Sequence, residues 1–168
     1  MILSTQTKQQ LIDLLVKHEG EILHVYKCPA GKDTIGVGRN LEDKGLSKYE
    51  CDVLELGTYD KKEVIDLLKN RGITKCESRL FLSIDIEEFS SELYKVLPWI
   101  ESAPHTVQLA LIDMAFNMGI KGLLKFKKTL YFIKAGQYKE ASVEMLNSRW
   151  ARQVGNRAIE LSEMIATS

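Results

Sequence analysis

Three side chains suited to acid or nucleophilic chemistry fall within one short stretch: Glu19, Cys28 and Thr34. Glu19 lies in a His-Glu-Gly run whose glycine marks the end of a helix. The C-terminal end of a helix disfavours negative charge, so a stability-driven sequence would place Lys or Arg there. The position predicts a carboxyl with a raised pKa, suited to proton donation near neutral pH. Cys28 falls in a turn built on Pro29 and Gly31, and Thr34 on the strand that leaves it. Taken singly, Glu19 reads as a surface acid, Cys28 as an inert small side chain and Thr34 as a strand former. Their order carries the signal. A thiol and a hydroxyl opposite an acid can hold a water or meet a developing cation. Glycoside cleavage needs this arrangement: one group protonates the leaving oxygen while the other face of the ring meets a nucleophile. His18 and His24 flank the stretch, and with Cys28 would make a thiol hydrolase, but no Asn or Asp orienter is evident. Glu21 reads as a solvated acid and Asp33 as a turn former.

The elements that must position these groups follow from periodicity. Thr7-Lys-Gln-Gln10 resembles a capping box, opening a helix over about 7–19 with Leu11, Leu14, Leu15 and His18 on one face. Residues 22–27 read as a strand, 28–33 as a turn and 34–38 as the partner strand. Strand alternation sends Ile35 and Val37 one way and Thr34, Gly36 and Gly38 the other, leaving a bare glycine face open to a large group. Residues 40–48 are polar and loop-like. Asp60-Lys-Lys-Glu63 opens a helix with Val64, Leu67 and Leu68 inward, ended by Arg71-Gly72. The capping box Thr74–Glu77 opens a helix that runs to Pro98, roughly 24 residues and about 36 Å, long enough to link two lobes. Beyond Pro104 the pattern is helical: 107–116 is apolar on nearly every side, and 126–135, 138–147 and 156–166 are amphipathic. The fold class is therefore α+β, mainly helical. A small N-terminal α+β lobe with a β-hairpin spans about 13–73, a linking helix 74–97, and a helical lobe 98–168 plus 1–12. A cleft between the lobes is the expected site.

The 168 residues carry zero formal net charge, which argues against a general polyanion binder, and no nucleic-acid partner is expected. Charge is uneven, however: from Asn117 to Arg157 there are nine bases and two acids. That stretch makes either solvated helix faces or a basic surface that approaches an anionic one, such as nucleic acid or the cell envelope. No run approaches the ~18 apolar residues of a membrane helix, so a cytoplasmic chain without stable membrane insertion is expected. Cys28, Cys51 and Cys76 have no metal-binding spacing, and three thiols are expected rather than a Cys51–Cys76 disulfide. No metal or other cofactor is expected.

At His18-Glu19-Gly20, Val25-Tyr26-Lys27 and Thr34-Ile35-Gly36-Val37-Gly38 the sequence resembles the bacteriophage T-even-type lysozymes, or endolysins. That family's pattern is Glu, eight residues, Asp or Cys, five residues, Thr. The resemblance returns at Gly72-Ile73-Thr74-Lys75, Met114-Ala-Phe-Asn-Met-Gly119, Ser148-Arg-Trp150 and Asn156-Arg157-Ala158. Residues 48–71 look like an insertion relative to shorter members. The resemblance implies a lysozyme-like fold and a muramidase that hydrolyses the β-1,4 bond between N-acetylmuramic acid and N-acetylglucosamine in peptidoglycan. It implies that Glu19 is the general acid, that Cys28 stands where many members have Asp, and that Thr34 is the water-holding threonine. Phe116 and Thr129 match positions in the saccharide cleft; Asn40 and Glu144 fall at two others but differ in type from the best-known member. That member pairs a histidine with an aspartate where Arg39 and Asp85 stand, so an Arg39–Asp85 ion pair is expected, one that does not titrate near neutral pH. The resemblance further implies a monomer made in a host cytoplasm. It would reach the periplasmic wall after a holin-type membrane protein permeabilises the membrane, and lyse the host. A lytic transglycosylase and a non-catalytic wall-binding protein of the same fold are the alternatives.

Overall fold

A computed structural model describes residues 3–168. The chain divides into two units, Ile12–Ile86 and Glu87–Ser168 with the N-terminal segment through Leu11.

The first helix, α1 (Thr5–Glu19), begins two residues before the expected start. Ser4 caps it: its Oγ accepts the Thr7 N–H at 3.1 Å and bonds the Thr7 hydroxyl at 2.7 Å. Thr7 is thus inside the helix, because a hydroxyl three residues upstream reaches its N–H first. Leu11 and Leu15 are fully buried, and Gly20 ends the helix at φ +78°.

Three antiparallel strands come next, in the order β1 (Ile22–Lys27), β2 (Asp33–Gly36), β3 (Arg39–Asn40). The two-residue β3 lies where the sequence reads as loop; two residues carry no alternation. Tyr26 pairs with Thr34 and Lys27 with Asp33, but the register slips between Ile22 and Tyr26. Leu23 lies within the slip, and its carbonyl accepts the Ile73 N–H at 2.8 Å. Gly72 allows this approach: at φ +67°, a Cβ there would lie 2.6 Å from the Leu23 oxygen.

Helix α2 (Lys48–Val53), unexpected from the sequence, opens on a capping box between Ser47 and Glu50. Helix α3 (Lys61–Arg71) is capped by Asp60 and ended by Gly72, as its punctuation predicts. Val64 and Leu68 face inward, but Leu67 is 39% exposed, so the inward stripe is narrower than expected. Helix α4 (Lys75–Val96) opens on the Thr74–Glu77 box, with bonds of 3.1 and 2.8 Å. It contributes residues to both units. Its Ser78 covers the expected bare glycine face at Gly36, where a Cβ would lie 3.2 Å from the Ser78 Oγ, while Gly38 is exposed and a Cβ there would meet nothing within 4 Å. At Gly36 the protein's own helix occupies the space expected for a large visitor.

The core of the Ile12–Ile86 unit joins Ile35, Leu41, Cys51, Leu54, Val64, Leu68, Ile73 and Phe81. Four of these eight come from 48–71, so the apparent insertion is integral to the core. Beside it lies a buried charge network. Arg39 donates through Nε to Asp85 Oδ2 at 3.0 Å and through Nη2 to Oδ1 at 2.8 Å, giving the expected pair. Nη1 also lies 2.9 Å from Glu50 Oε1, and Lys44 pairs with Asp85 at the same Oδ1 that Arg39 Nη2 meets. Glu50 divides its oxygens: Oε2 closes the α2 capping box at 2.7 Å while Oε1 faces Arg39. Burial alone would push the Arg39 guanidinium down, but the Asp85 and Glu50 carboxylates outweigh it and hold it up.

The second unit is built from α5 (His105–Leu123), α6 (Lys127–Lys134), α7 (Tyr138–Leu146), α8 (Arg149–Val154) and α9 (Asn156–Ala166). Helix α5 breaks at Gly119, where φ is 77° and ψ 160°. It is buried from Leu109 to Ala115, including Asp113, whose carboxylate accepts the Arg157 Nε at 2.8 Å. Among the described residues no single helix is long and apolar enough to cross a membrane.

Candidate active site

Glu19 is the last residue of α1 and is exposed. The chain just beyond it is held firmly. Glu21, expected to be solvated, accepts from Arg79 Nε at 2.8 Å and from the Ser78 hydroxyl at 2.9 Å, with only 9% of its side chain exposed. Burial pushes the Glu21 carboxyl up, but the Arg79 and Ser78 bonds outweigh it and hold it below its ordinary value of 4.5. Two residues beyond Glu19 the chain is therefore clamped to α4.

Cys28 begins the turn between β1 and β2. The turn is closed by the Cys28 N–H donating to Lys32 O at 3.0 Å and the Gly31 N–H donating to Cys28 O at 2.8 Å. The Lys32 N–H chiefly, then the Ala30 N–H and the Thr34 hydroxyl, stabilise a thiolate and pull the Cys28 thiol below its ordinary value, against burial. Thr34 is buried at 2% exposure, not displayed on an open face as alternation predicts. Its hydroxyl donates to Lys32 O at 3.0 Å.

Tyr26 connects the set. Burial first, and then negative charge at Cys28 and at Glu19, push its phenol above the ordinary value. Helix-end acid and turn thiol thus act electrostatically on one residue, and Tyr26 is also the strand partner of Thr34. The sequence marks Tyr26 only as part of a matching triplet. Asp33, expected to be a turn former, is buried and ion-paired to Lys27 and Lys69. The cysteines are free thiols: Cys28 half-buried, Cys51 buried in the core and Cys76 exposed. Among the described residues no group of three His, Cys, Asp or Glu side chains is placed to hold a metal ion.

Phe116 and Thr129 belong to the helical unit. Phe116 is half-buried, its ring 5.8 Å from that of Phe89. Thr129, 1% exposed, lines an open groove of about 430 Å³ with Phe126, Lys128, Glu144 and Trp150. Trp150 stands edge-on to Phe126 at 5.9 Å and donates its indole N–H to Asn117 Oδ1 at 2.8 Å. Glu144, which differs in type from the matching residue of the best-known relative, shares this groove with Thr129. Phe116 is not part of its lining.

A mainly helical chain with a small antiparallel sheet, an acid at the end of its first helix and a polarised thiol on the following hairpin defines the class. The phage lysozyme family pattern matches residues 16–163, and the chain belongs to that family. It is 33% identical over 162 residues to probable T4-type lysozyme 2 of Dictyostelium discoideum, covering 91% of this chain and 93% of that one. Probable T4-type lysozyme 1 of the same organism is 31% identical over 165 residues, covering 92% of each. The pre-baseplate central spike protein Gp5 of Enterobacteria phage T4 is 28% identical over 162 residues, covering 94% of this chain but only 28% of that longer protein. Family membership carries a lysozyme-like action on peptidoglycan.

Proposed function

We propose that the protein is a muramidase that hydrolyses the β-1,4 bond between N-acetylmuramic acid and N-acetylglucosamine. Glu19 protonates the glycosidic oxygen. Cys28, as the anionic partner, and Thr34 serve the opposite face of the sugar, where positive charge develops at the anomeric carbon. The observation that supports this reading is the placement, in a chain of the phage lysozyme family, of Glu19 at the end of α1 and of Thr34 bonded to Lys32 O at 3.0 Å in the hairpin turn that carries Cys28. Phe116 and Thr129 contribute to saccharide binding. In this role the protein works as a monomer and lyses a bacterial host. It reaches the periplasmic wall from the host cytoplasm once a holin-type protein has opened the membrane.

Mass spectrometry of the fragments released from purified peptidoglycan tests the bond and the chemistry. Hydrolysis yields reducing N-acetylmuramic acid ends. Anhydro-muramic ends would identify a lytic transglycosylase, and binding without release would identify a non-catalytic wall protein. The anomer formed first, followed by NMR, assigns the far face: retention means thiolate attack on the anomeric carbon, and inversion means water directed by Cys28 and Thr34.

A further inference from the structure

Asp33 stands between the two far-face groups. It directly precedes Thr34, and its strand partner Lys27 directly precedes Cys28. Both carboxylate oxygens are held: Oδ1 lies 2.9 Å from Lys27 Nζ, and Oδ2 lies 3.0 Å from Lys69 Nζ. The backbone is fixed as well. The Asp33 N–H donates to Glu42 Oε1 at 2.8 Å, and its carbonyl accepts the Leu41 N–H at 2.8 Å. The Asp33 side chain is 10% exposed while the two lysines reach it from solvent, at 59% and 47%. Lys27 first, then Lys69, hold the Asp33 carboxyl below its ordinary value, so it is charged at neutral pH. Lys69 comes from α3 and reaches the hairpin from outside the sheet.

One carboxylate gripped from a strand and from a helix constrains direction as well as distance. The turn it braces ties Cys28 to Lys32 at 3.0 Å and to Gly31 at 2.8 Å, and the Thr34 hydroxyl to Lys32 O at 3.0 Å. We propose that Asp33 is a positioning residue: the Lys27–Asp33–Lys69 triad, anchored on α3, fixes turn 28–32 so that the Lys32 N–H and the Thr34 hydroxyl stay aimed at Cys28. The kinetic consequence rests on the muramidase reading, whereas the effect on the thiol does not.

Two opposed effects make the proposal decidable. Removing a nearby negative charge favours a thiolate and lowers the thiol's titration midpoint; misaligning its donors raises it. The experiment follows alkylation of Cys28 by iodoacetamide against pH in a Cys76→Ser background, where Cys51 is buried. The other ionisable groups around the turn, Glu19, Tyr26, Lys27, Lys32, Glu42, Asp43 and Lys69, are the same in the wild type and the Asp33 variants. Positioning predicts that Asp33→Asn raises the midpoint by about half a unit or more, and that Asp33→Glu, which can still reach both lysines, restores it. On peptidoglycan, Asp33→Asn and Lys69→Met lower kcat about tenfold with KM within about twofold, and Lys69→Arg retains kcat. A midpoint that falls or stays put in folded Asp33→Asn overturns the proposal. If Asp33→Asn does not fold, an unchanged kcat in Lys69→Met, whose side chain is largely in solvent, overturns it. A wild-type protein that releases no reducing ends refutes the muramidase reading, and the thiol midpoint still decides the role of Asp33.

Discussion

Replacing Arg39 with Gln is expected to destabilise the Ile12–Ile86 unit by about 3–5 kcal/mol. The magnitude comes from the partners that the guanidinium satisfies. Its side chain is 1% exposed, and it makes two bonds to Asp85, one to Phe81 O at 3.1 Å and one to Gly45 O at 3.2 Å. Gln keeps at most two donors. Asp85 retains Lys44 after the change, so it is not stranded. Glu50 Oε1 fares worse. It is buried without a hydrogen bond, and the Arg39 charge lies opposite it at 2.9 Å. Losing that charge is the largest part of the cost. With a urea dependence of about 2 kcal/mol per molar, the midpoint falls by about 2 M, read by far-UV circular dichroism. In a Glu50→Gln background the same Arg39 substitution costs about 1–3 kcal/mol less. Because a guanidinium stays protonated, the loss is the same at pH 6 and pH 8, where a histidine in its place would titrate. A midpoint shift under about 0.5 M, worth about 1 kcal/mol, would refute the reasoning.

Two further outcomes concern the backbone past α2 and the Glu21 carboxylate. Glu55 sits at φ 53° just past α2, a left-handed position that favours glycine. Glu55→Gly therefore raises stability by about 1 kcal/mol and Tm by about 2–4 °C in calorimetry, and an unchanged or lower Tm would show the position unstrained. Glu21 has a lowered carboxyl pKa, so its contribution is fully present above 4.5, its ordinary value, and is lost as pH falls through the folded value. The stability gap between wild type and Glu21→Gln is expected to be widest at neutral pH and to close in acid; a gap independent of pH would contradict the Arg79 pairing.

Legibility in the sequence tracks whether a feature is local. The Thr74–Glu77 box, the Asp60 and Gly72 ends of α3, and α9 depend on side chains within a few residues, and each lies where the sequence predicts it. The box that opens α2, Ser47 to Glu50, has the same spacing and is equally readable, but the polar composition around it suggests a loop. The features that escape are tertiary. Glu21 and Asp33 look like solvent or turn residues until Arg79 and Lys69, each dozens of residues away, arrive beside them. Alternation gives Thr34 an open face, yet a buried β2 with Ser78 against Gly36 closes it. The Arg39–Asp85 pair is foreseeable through a family pattern, whereas its third member, Glu50, comes from α2, a helix that the polar composition around it does not announce. Spacing nominates Glu19, Cys28 and Thr34; only folding brings Tyr26 under the charge of two of them.

Glu19→Gln offers the most direct test, because it removes the acid while leaving the size and fold of the helix end intact. Reducing-end release from purified peptidoglycan should fall by about two to four orders of magnitude, with wall binding and Tm retained. A folded Glu19→Gln protein that still releases reducing ends near the wild-type rate would contradict the assignment of Glu19 as the general acid, and with it the muramidase mechanism built around it.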